Sequence, residues 1–353
     1  MTSPINAAAD HLAAAAARDR LGKLASRRLF LAGAAAGAVT LGLTACGGAT
    51  STTETPQATG AAGFPVTVTG KEGKATIPAQ PQRVIALGYQ RDAETALALG
   101  VTPIAMSENA TFPDLIAPWT LPRLTGPKPE LLNTTDGFPF ERIAGLRPDL
   151  LLATDSYVLT DNYARLTQIA PTVSYLDGPD TDTWQQRTGL IGKVLGRDEQ
   201  AQQVVTDTEA RITQAARDNP AFAGQTVSFN VLFSREIYTI TGGDASATFL
   251  EQLGLKISPE AAAQPESSTP GRALISPENL GVLDADIMIV TYQTDDDRAF
   301  LESSQLFRQL SAVQNGTYVP MDFLVSVAMA FPSPLTIPYA LDGMVPAIAK
   351  VLA

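Results

Sequence analysis

The sequence FERIAGLRPDLLLAT (Phe140–Thr154) recurs in a second form, PENLGVLDADIMIVT (Pro277–Thr291), and this pair decides the fold class. In each copy a glutamate stands near the start, and the apolar spacing that follows predicts a short helix. A turn containing Asp and a run of apolar residues ending on Thr then predict a buried strand. Because the same unit occurs twice, we expect the chain to be built as two similar halves.

Further strands and helices surround each copy of the repeat. Before the first copy, RVIALGYQRDAETALALGVTPIAM (Arg83–Met106) predicts a strand, a helix with Asp92 as its N-cap, and a second strand. Before the second copy, TVSFNVLF (Thr226–Phe233) predicts another strand. A second echo, between Ala96–Ile104 and Leu250–Ser258, occurs in the same order. This alternation predicts an α/β fold of two Rossmann-like lobes with parallel sheets.

A long helix is predicted between the halves. From Thr183 to about Asn219 the pattern is that of uninterrupted helix, with one stripe formed by Ala201, Val204, Val205, Thr208, Ile212 and Ala215. About 20 helical residues span roughly 30 Å, which is enough to bridge two domains. We therefore predict a first lobe at residues 64–180, a connecting helix at 181–219 and a second lobe at 220–353.

The amino terminus has the pattern of an export signal. Arg27 and Arg28 precede an apolar stretch rich in Ala and Gly, which predicts a twin-arginine signal peptide over residues 1–45. A membrane-spanning helix is the weaker interpretation because Gly and Thr dilute this stretch. The sequence LTAC (Leu43–Cys46) resembles a lipoprotein lipobox, so Cys46 is predicted to carry a lipid. Residues 46–63 would then tether the folded part to the outer face of the cytoplasmic membrane.

The composition argues against several classes of function. The chain has 353 residues and a net charge of −11; the first 45 residues carry five Lys or Arg against two Asp, so the remainder carries −14. Such a surface repels nucleic-acid phosphates. The single histidine, His11, lies in the predicted signal peptide, which argues against His-based catalysis and imidazole metal sites in the mature protein. With Cys46 as the only cysteine, no disulfide is expected.

Three features together resemble a known family. They are PQRVIALGYQRDAETALALGVTPIA (Pro81–Ala105), the two copies of the repeat, and the long helix between them. They resemble the substrate-binding proteins of bacterial ABC importers for ferric siderophores, haem and cobalamin. The resemblance extends from about residue 64 to the last residue and implies two α/β lobes with a ligand cleft between them. It also implies a monomer, not an enzyme, that captures a ferric siderophore and delivers it to a permease and its ATPase.

The expected cleft residues follow from the position of ligands in parallel sheets, outside the carboxyl ends of the strands. The loops at those ends, and one Pro-flanked loop, supply aromatic and arginine side chains, which suit a chelate with carboxylate or phenolate oxygens. The predicted ligand-binding residues are Tyr89, Arg91, Trp119, Tyr157, Arg235, Tyr238, Tyr292 and Arg298, with Asp155 and Ser156 beside Tyr157. Arg91 and Arg235 are expected to favour an anionic ferric chelate. The iron would arrive inside the chelate, so neither a direct metal ligand nor a cofactor is expected.

The glutamates of the repeat have a separate expected role. An acid in the first turn of a short helix stabilises the helix dipole by only about 0.3–1 kcal/mol, which does not account for its presence in both copies. In the family that the chain resembles, an acid at this place on each lobe contacts arginines of the permease. The resemblance therefore implies that Glu141 and Glu278 are permease-docking residues, one on each lobe.

Three alternatives stay open at this point. A protein of the same fold could bind haem or a corrinoid. A secreted α/β hydrolase would need a nucleophile elbow and a histidine, and the predicted mature chain has no histidine. A surface protein that assembles cell-wall or transport complexes would need no small ligand, and its strand-end Tyr and Arg side chains would be buried in the core.

Overall fold

The structure is a computed structural model that describes residues 63–135 and 137–353. The predicted signal peptide, Cys46 and all but the last residue of the predicted tether lie outside the described residues. Within the described ranges, the chain forms two lobes, each containing a β-sheet covered by helices. None of the helices in these ranges has both the length and the apolar composition that a membrane crossing requires.

The first lobe contains a five-stranded parallel sheet with the strand order β5-β4-β3-β6-β7, preceded by the hairpin β1-β2. The strands are β1 Val66–Gly70, β2 Gly73–Ile77, β3 Val84–Ala86, β4 Ala105–Ser107, β5 Glu130–Leu132, β6 Leu150–Ala153 and β7 Thr172–Ser174. The helices are α1 Arg91–Ala98, α2 Phe140–Gly145 and α3 Tyr163–Leu166, with a 3₁₀ turn at Leu121–Arg123. Every residue of β3 and β6 is buried, as expected for central strands of a parallel sheet covered on both faces.

Two helices join the lobes, α4 Trp184–Leu195 and α5 Asp198–Asp218. The prediction of one uninterrupted helix over this region is therefore wrong. Gly196 adopts φ 66°, the left-handed conformation that ends many helices, and its N–H donates to carbonyls of the last turn of α4. The helix α4 packs against α1 and β1 of the first lobe, whereas α5 packs against helices of the second lobe.

The second lobe contains a six-stranded sheet with the order β11-β9-β8-β12-β13, and β10 pairs with the start of β8. The strands are β8 Thr226–Phe233, β9 Glu236–Ile240, β10 Lys256–Ile257, β11 Arg272–Ile275, β12 Ile287–Tyr292 and β13 Tyr318–Asp322. The helices are α6 Ala245–Gln252, α7 Pro259–Ala262, α8 Asp295–Glu302, α9 Gln305–Arg308, α10 Ser311–Gln314, α11 Phe323–Ala330 and α12 Thr336–Val351, with 3₁₀ turns at Pro220–Phe222 and Leu280–Leu283.

The predicted fold class, two α/β lobes, is confirmed, but the second sheet is not wholly parallel. The strands β8 and β9 pair antiparallel, as do β9 and β11. Only Ser234 and Arg235 separate β8 from β9, and a connection this short can join only antiparallel strands. Both connecting residues have positive φ, 51° and 63°, as tight hairpin turns require.

Two predicted helix starts differ from the structure. The helix α1 has Gln90 at its N-cap, so the prediction of Asp92 as the cap is wrong. Asp92 is instead fully buried and accepts a hydrogen bond from the backbone N–H of Thr154. In the second copy of the repeat a 3₁₀ turn stands where the first copy has α2, so Glu278 precedes a turn rather than lying in a helix. Its carboxylate accepts a hydrogen bond from the Ser276 hydroxyl at 2.8 Å.

In each lobe an aspartate of the repeat joins two neighbouring strands, which the sequence did not predict. The carboxylate of Asp149 accepts hydrogen bonds from the backbone N–H groups of Gln82 (2.7 Å) and Arg83 (2.8 Å). The carboxylate of Asp286 accepts from the N–H (2.9 Å) and the hydroxyl (2.7 Å) of Thr226. Each aspartate therefore ties the strand of its repeat, β6 or β12, to the start of the neighbouring central strand, β3 or β8.

The two lobes also share apolar packing. The core around α11 and α12 of the second lobe includes Leu97, Phe112 and Trp119 from the first lobe. Three other apolar cores belong to one lobe each. Two of them lie on the two faces of the first sheet, and the third lies on the face of the second sheet opposite the shared core. The shared packing holds the lobes together at one side of the region in which the candidate site lies.

Candidate ligand-binding site

The candidate residues of the first lobe lie at the switch point of its sheet. The chain leaves β3 towards β4 on one side, whereas β6 pairs with β3 on the other, so a crevice forms between the loops that follow β3 and β6. Tyr89 and Arg91 follow β3, and Asp155 and Tyr157 follow β6. The structure therefore brings these four predicted residues together.

An ion-pair network occupies the base of this crevice. The Arg91 Nε donates to Asp155 Oδ2 at 3.2 Å, and Arg91 Nη2 donates to Asp180 Oδ1 at 3.1 Å. Asp155 Oδ2 also accepts from the backbone N–H groups of Gln90 (3.1 Å) and Arg91 (2.8 Å). Burial alone would raise the pKa of Asp155, but Arg91, Arg187 and these N–H groups hold it below its usual value. Asp155 is therefore a buried carboxylate that stays ionised.

A second buried acid lies behind Asp155. Asp92 accepts hydrogen bonds from the N–H and the hydroxyl of Thr154, and Arg187 Nε donates to the same hydroxyl at 3.2 Å. Burial and the nearby charge of Asp155 raise the pKa of Asp92 to about 7. The two carboxylates leave no space for a side chain at Gly88, where a Cβ would lie 1.6 Å from Asp155 Oδ1. Gly88 is thus required by the ionic network rather than by backbone conformation.

Aromatic rings cover this network and reach the second lobe. The Tyr89 ring centroid lies 6.3 Å from that of Tyr157 and 5.0 Å from that of Phe331, which follows α11. The Arg91 guanidinium carbon lies 5.3 Å from the Phe331 centroid. The Tyr157 hydroxyl donates to Asp180 Oδ1 at 2.6 Å. Because Tyr89 and Tyr157 are each partly exposed, their rings form an accessible surface beside the inter-lobe contact.

Trp119 contacts the second lobe but is buried. Its Nε1 donates to Glu94 Oε1, and its ring centroid lies 4.9 Å from that of Tyr339 in α12. The side chain of Trp119 is 7% exposed, so it packs between the lobes rather than lining an open surface. Burial raises the pKa of Glu94 to about 8, although hydrogen bonds from Trp119 and Ser333 oppose the shift. Glu94 is therefore largely protonated at neutral pH.

Two predicted residues of the second lobe belong to an aromatic platform at the β8-β9 hairpin. The rings of Phe233 and Tyr238 are stacked, with centroids 5.2 Å apart and an interplanar angle of 5°. The Tyr238 hydroxyl donates to Glu236 at 3.0 Å. Arg235 lies in the hairpin turn, exposed, with its guanidinium carbon 5.5 Å from the Phe300 centroid. Its backbone N–H donates to the buried Asp297 at 2.9 Å.

The other two predicted residues of this lobe lie apart from the platform. Tyr292 is 8% exposed and packs with Met288 and Val290, on the opposite face of the sheet from the core that contains β8 residue Val231. Its hydroxyl lies 2.6 Å from that of Tyr318, within a chain of hydrogen bonds that also contains Glu302 and Arg298. In this structure Tyr292 is part of the core and Arg298 is held in an ion pair with Glu302.

The tyrosines of the site are hydrogen-bond donors rather than phenolates. Burial raises the pKa of Tyr89 and of Tyr157, and burial together with Glu236 raises the pKa of Tyr238 to about 12. A phenol must lose its proton to bind ferric iron, and these environments oppose that loss. Within the described ranges, no three side chains of the His, Cys, Asp or Glu type converge as a metal site would require.

Several residues of the site were not predicted. Phe233 ends a predicted strand, so its position at a carboxyl end was available from the sequence. Asp180 and Phe331 lie far along the chain from their partners and carry no local signal. Arg91, which was expected to favour an anionic chelate, has its guanidinium held by two carboxylates, and only 3% of the residue is exposed.

Comparison with known proteins identifies the family. Residues 85–323 match the family described as periplasmic binding protein. A periplasmic solute binding protein from Mycobacterium smegmatis str. MC2 155 is 31% identical, over 82% of this chain and 99% of that one, with a TM-score of 0.71. PiaA from Streptococcus pneumoniae TIGR4, solved with ferrichrome, is 25% identical, over 81% and 98%, with a TM-score of 0.66.

FhuD2 from Staphylococcus aureus, solved with bound ferrioxamine B, shares the fold at 18% identity, over 77% of this chain and 100% of that one, with a TM-score of 0.61. No curated protein sequence matches the chain significantly. The resemblance found in the sequence is thereby confirmed, and it concerns a family of solute-binding proteins rather than enzymes. The chain belongs to the periplasmic binding protein family.

Proposed function

We propose that this protein is an extracytoplasmic solute-binding protein that captures a ferric siderophore between its lobes and delivers it to an ABC permease for iron uptake. The observation that carries the proposal is the pair of aromatic surfaces at strand ends of the two lobes, Tyr89 with Tyr157 and Phe233 with Tyr238. Flat apolar rings with polar tips suit the organic periphery of an iron chelate. The similarity to a ferrichrome-bound protein supports the same ligand class.

A ligand panel tests this proposal. The chain has two tryptophans, Trp119 and Trp184, whose fluorescence reports on the packing between and beside the lobes. We expect saturable quenching by a ferric siderophore and much weaker quenching by the same siderophore without iron. Haem and a corrinoid are the competitors, because the family that the sequence resembles includes binders of both. If only haem or only the corrinoid quenched the fluorescence, a siderophore would not be the ligand.

The ligand contacts that we propose are narrower than the set expected from the sequence. Tyr89, Tyr157, Arg235 and Tyr238 are the exposed or partly exposed members of that set that lie at the two aromatic surfaces. Replacing Tyr157 or Tyr238 by Ala removes one ring from the surface concerned, and we expect affinity to fall roughly 5- to 30-fold, in line with about 1–2 kcal/mol per aromatic contact. Tyr292→Ala is the contrasting variant, expected to alter stability rather than affinity.

We propose that Glu141 and Glu278 contact the permease. Both are exposed, both stand at the same place in the repeat, and one lies on each lobe, which suits a two-fold transporter. The double variant E141A/E278A is expected to bind the siderophore normally but to lose most uptake. The double variant E199A/E251A, which also removes two exposed glutamates, serves as the control. Normal uptake by E141A/E278A would reject these docking residues.

We propose that the lipid on Cys46 anchors the protein to the membrane after export through the twin-arginine route. The support is the sequence pattern around Cys46 together with membership of an extracytoplasmic family. The variant Cys46→Ser cannot carry the lipid and is expected to appear in the soluble fraction. Mass spectrometry of the membrane-bound form should show a diacylglyceryl-modified amino terminus. Membrane retention of Cys46→Ser would contradict the anchor.

A further inference from the structure

The positive charges at the candidate site are largely committed to carboxylates. Arg91 is shared between Asp155 and Asp180, so this group of three side chains carries a net negative charge. Arg298 pairs with Glu302. Arg91 also offers little surface to an anionic ligand, because only 3% of the residue is exposed and its Nε is held by the buried Asp155. Of the three predicted arginines, Arg235 in the hairpin turn is therefore the one placed to meet a ligand.

Exposed carboxylates border both aromatic surfaces. The side chain of Asp180 is 61% exposed although its Oδ1 accepts from both Arg91 and Tyr157. Glu236 is exposed and accepts from the Tyr238 hydroxyl. Asp295 and Asp296 are exposed in the first turn of α8, which begins three residues after the end of β12. Each of the two aromatic surfaces is thus bordered by a carboxylate that also orients one of its phenols.

The charges around the site favour some ferric chelates over others, because chelates differ in net charge. Three hydroxamates neutralise ferric iron and give a neutral core, to which a free amine adds positive charge, whereas three catecholates give a trianion. A trianion would meet Asp180 and Glu236 with Arg235 as the main compensating charge. Neutral and cationic chelates would meet aromatic faces and carboxylates, which also attract cations. The remainder of the chain after the predicted signal carries −14, which adds to the repulsion of anions.

On the basis of the proposed function, we infer that the site selects ferric chelates by charge: it accepts neutral and cationic trishydroxamates and rejects anionic tricatecholates, with Asp180 and Glu236 as the residues that set this preference. This reverses the expectation, based on Arg91 and Arg235, of an anionic chelate. Asp180 acts from the first lobe beside Tyr157, and Glu236 acts from the second lobe beside Tyr238.

The test is a calorimetric titration of the full-length purified protein with three iron complexes of different charge. Ferrioxamine B is cationic, ferrichrome is neutral and ferric enterobactin is trianionic. We expect the first two to bind at least about 10-fold more tightly than the third, and raised salt to weaken ferrioxamine B more than ferrichrome. Tightest binding of ferric enterobactin would overturn the inference.

Amide variants of the two carboxylates test whether these residues set the charge preference. Asp180→Asn and Glu236→Gln should each weaken ferrioxamine B roughly 3- to 10-fold relative to ferrichrome, because only the cationic complex loses an attraction. The matched control is Asp342→Asn, which also removes an exposed carboxylate paired to an arginine, Arg211, but on α12 and α5. For Asp342→Asn, the ratio of the affinities for ferrioxamine B and ferrichrome should change less than about twofold. Since the readout is a ratio of two affinities in one variant, a general loss of folding does not imitate it.

The outcomes separate this inference from the proposed function. If ferric enterobactin alone binds, the protein still captures a ferric siderophore, but the charge preference is wrong. If Asp180→Asn and Glu236→Gln both leave the ratio unchanged, these carboxylates do not set the preference. If none of the three complexes binds, the proposed function and the inference fail together.

Discussion

The two lobes place different chemistry at the same position of the repeated unit. The first copy ends in Thr154 and is followed by Asp155, which is ionised, fully buried and paired with Arg91. The second copy ends in Thr291 and is followed by Tyr292, which packs in an apolar core and shares a hydrogen bond with Tyr318. The backbone framework is therefore common to both lobes, whereas the residue after it is not.

The stabilities of the two lobes should therefore respond differently to mutation and to pH. In the first lobe, buried acids and arginines depend on one another, so removing one leaves an uncompensated charge. In the second lobe, hydrogen bonds near the surface lower the pKa values of Glu278 and Asp286, and one largely buried ion pair joins Arg272 to Asp244. Stability changes caused by neutral or alkaline pH should therefore arise mainly from the first lobe.

The largest effect is expected from Asp155→Asn. Arg91 and the neighbouring Arg187 would lose their ionised buried partner, and the free energy of unfolding should fall by about 3–5 kcal/mol. Urea denaturation followed by circular dichroism measures this. A loss below about 1 kcal/mol would show that the network is not an interdependent ionic centre and would remove the main contrast between the lobes.

A pH-dependent effect is expected from Glu94, whose pKa rises from an ordinary 4.5 to about 8 in the folded protein. Above pH 4.5 the unfolded chain loses this proton while the folded chain keeps it, so stability falls as pH rises towards 8. The variant Glu94→Gln has no such proton. As pH rises across this range, the free energy of unfolding of Glu94→Gln should increase relative to that of the wild type by up to about 1.4 kcal/mol per pH unit.

Thermal or urea unfolding of both proteins between about pH 5 and about pH 8 checks the Glu94 prediction. The titration of Asp92 is present in both proteins and cancels in the comparison. A constant difference between Glu94→Gln and the wild type over this range would mean that Glu94 is ionised in the folded state, contrary to its burial beside Trp119.

An effect of similar size in both lobes is expected from the aspartates of the repeat. Asp149→Ala and Asp286→Ala each remove a carboxylate that ties two strands, at a cost of about 1–2 kcal/mol. Asp161→Ala, an exposed aspartate elsewhere in the first lobe, is the control. Unequal costs for Asp149 and Asp286 would indicate that the repeat does not perform the same task twice.

Acid should remove the contribution of Asp286. Its pKa is lowered in the folded state by the hydrogen bonds from Thr226, so the stabilisation is present above the ordinary value of 3.8 and is lost as pH falls through the folded value. The difference between Asp286→Ala and the wild type should therefore shrink below about pH 4. A difference that persists at lower pH would place the effect in packing rather than in the charged hydrogen bonds.

The smallest effect is expected from Tyr292→Phe, at the position equivalent to Asp155. The ring stays in the core and only its hydrogen bond with Tyr318 is lost, so we expect a cost of about 0.5–1.5 kcal/mol and unchanged ligand affinity. Denaturation together with the siderophore titration measures both quantities. A large loss of siderophore affinity would indicate that Tyr292 contacts the ligand.

Part of this architecture could be predicted because it depends on local pattern. The apolar runs of β6, β8 and β12, together with the repeated unit, were enough to predict two α/β lobes. The break at Gly196 was missed because the apolar stripe that predicted the helix, Ala201 to Ala215, begins after this glycine and the helix was extended back to Thr183. The side on which Tyr292 packs and the partners of Arg91 depend on contacts between distant segments, and no periodicity encodes such contacts.

We propose that a ferric chelate lies between the two aromatic surfaces, and a crystal structure of the complex with a ferric trishydroxamate would show its position. We expect the chelate to contact Tyr89 and Tyr157 on one side and Phe233 and Tyr238 on the other, with Arg91 still paired to Asp155. A chelate bound away from these rings, or an Arg91 released from Asp155 to hold the ligand, would contradict this account.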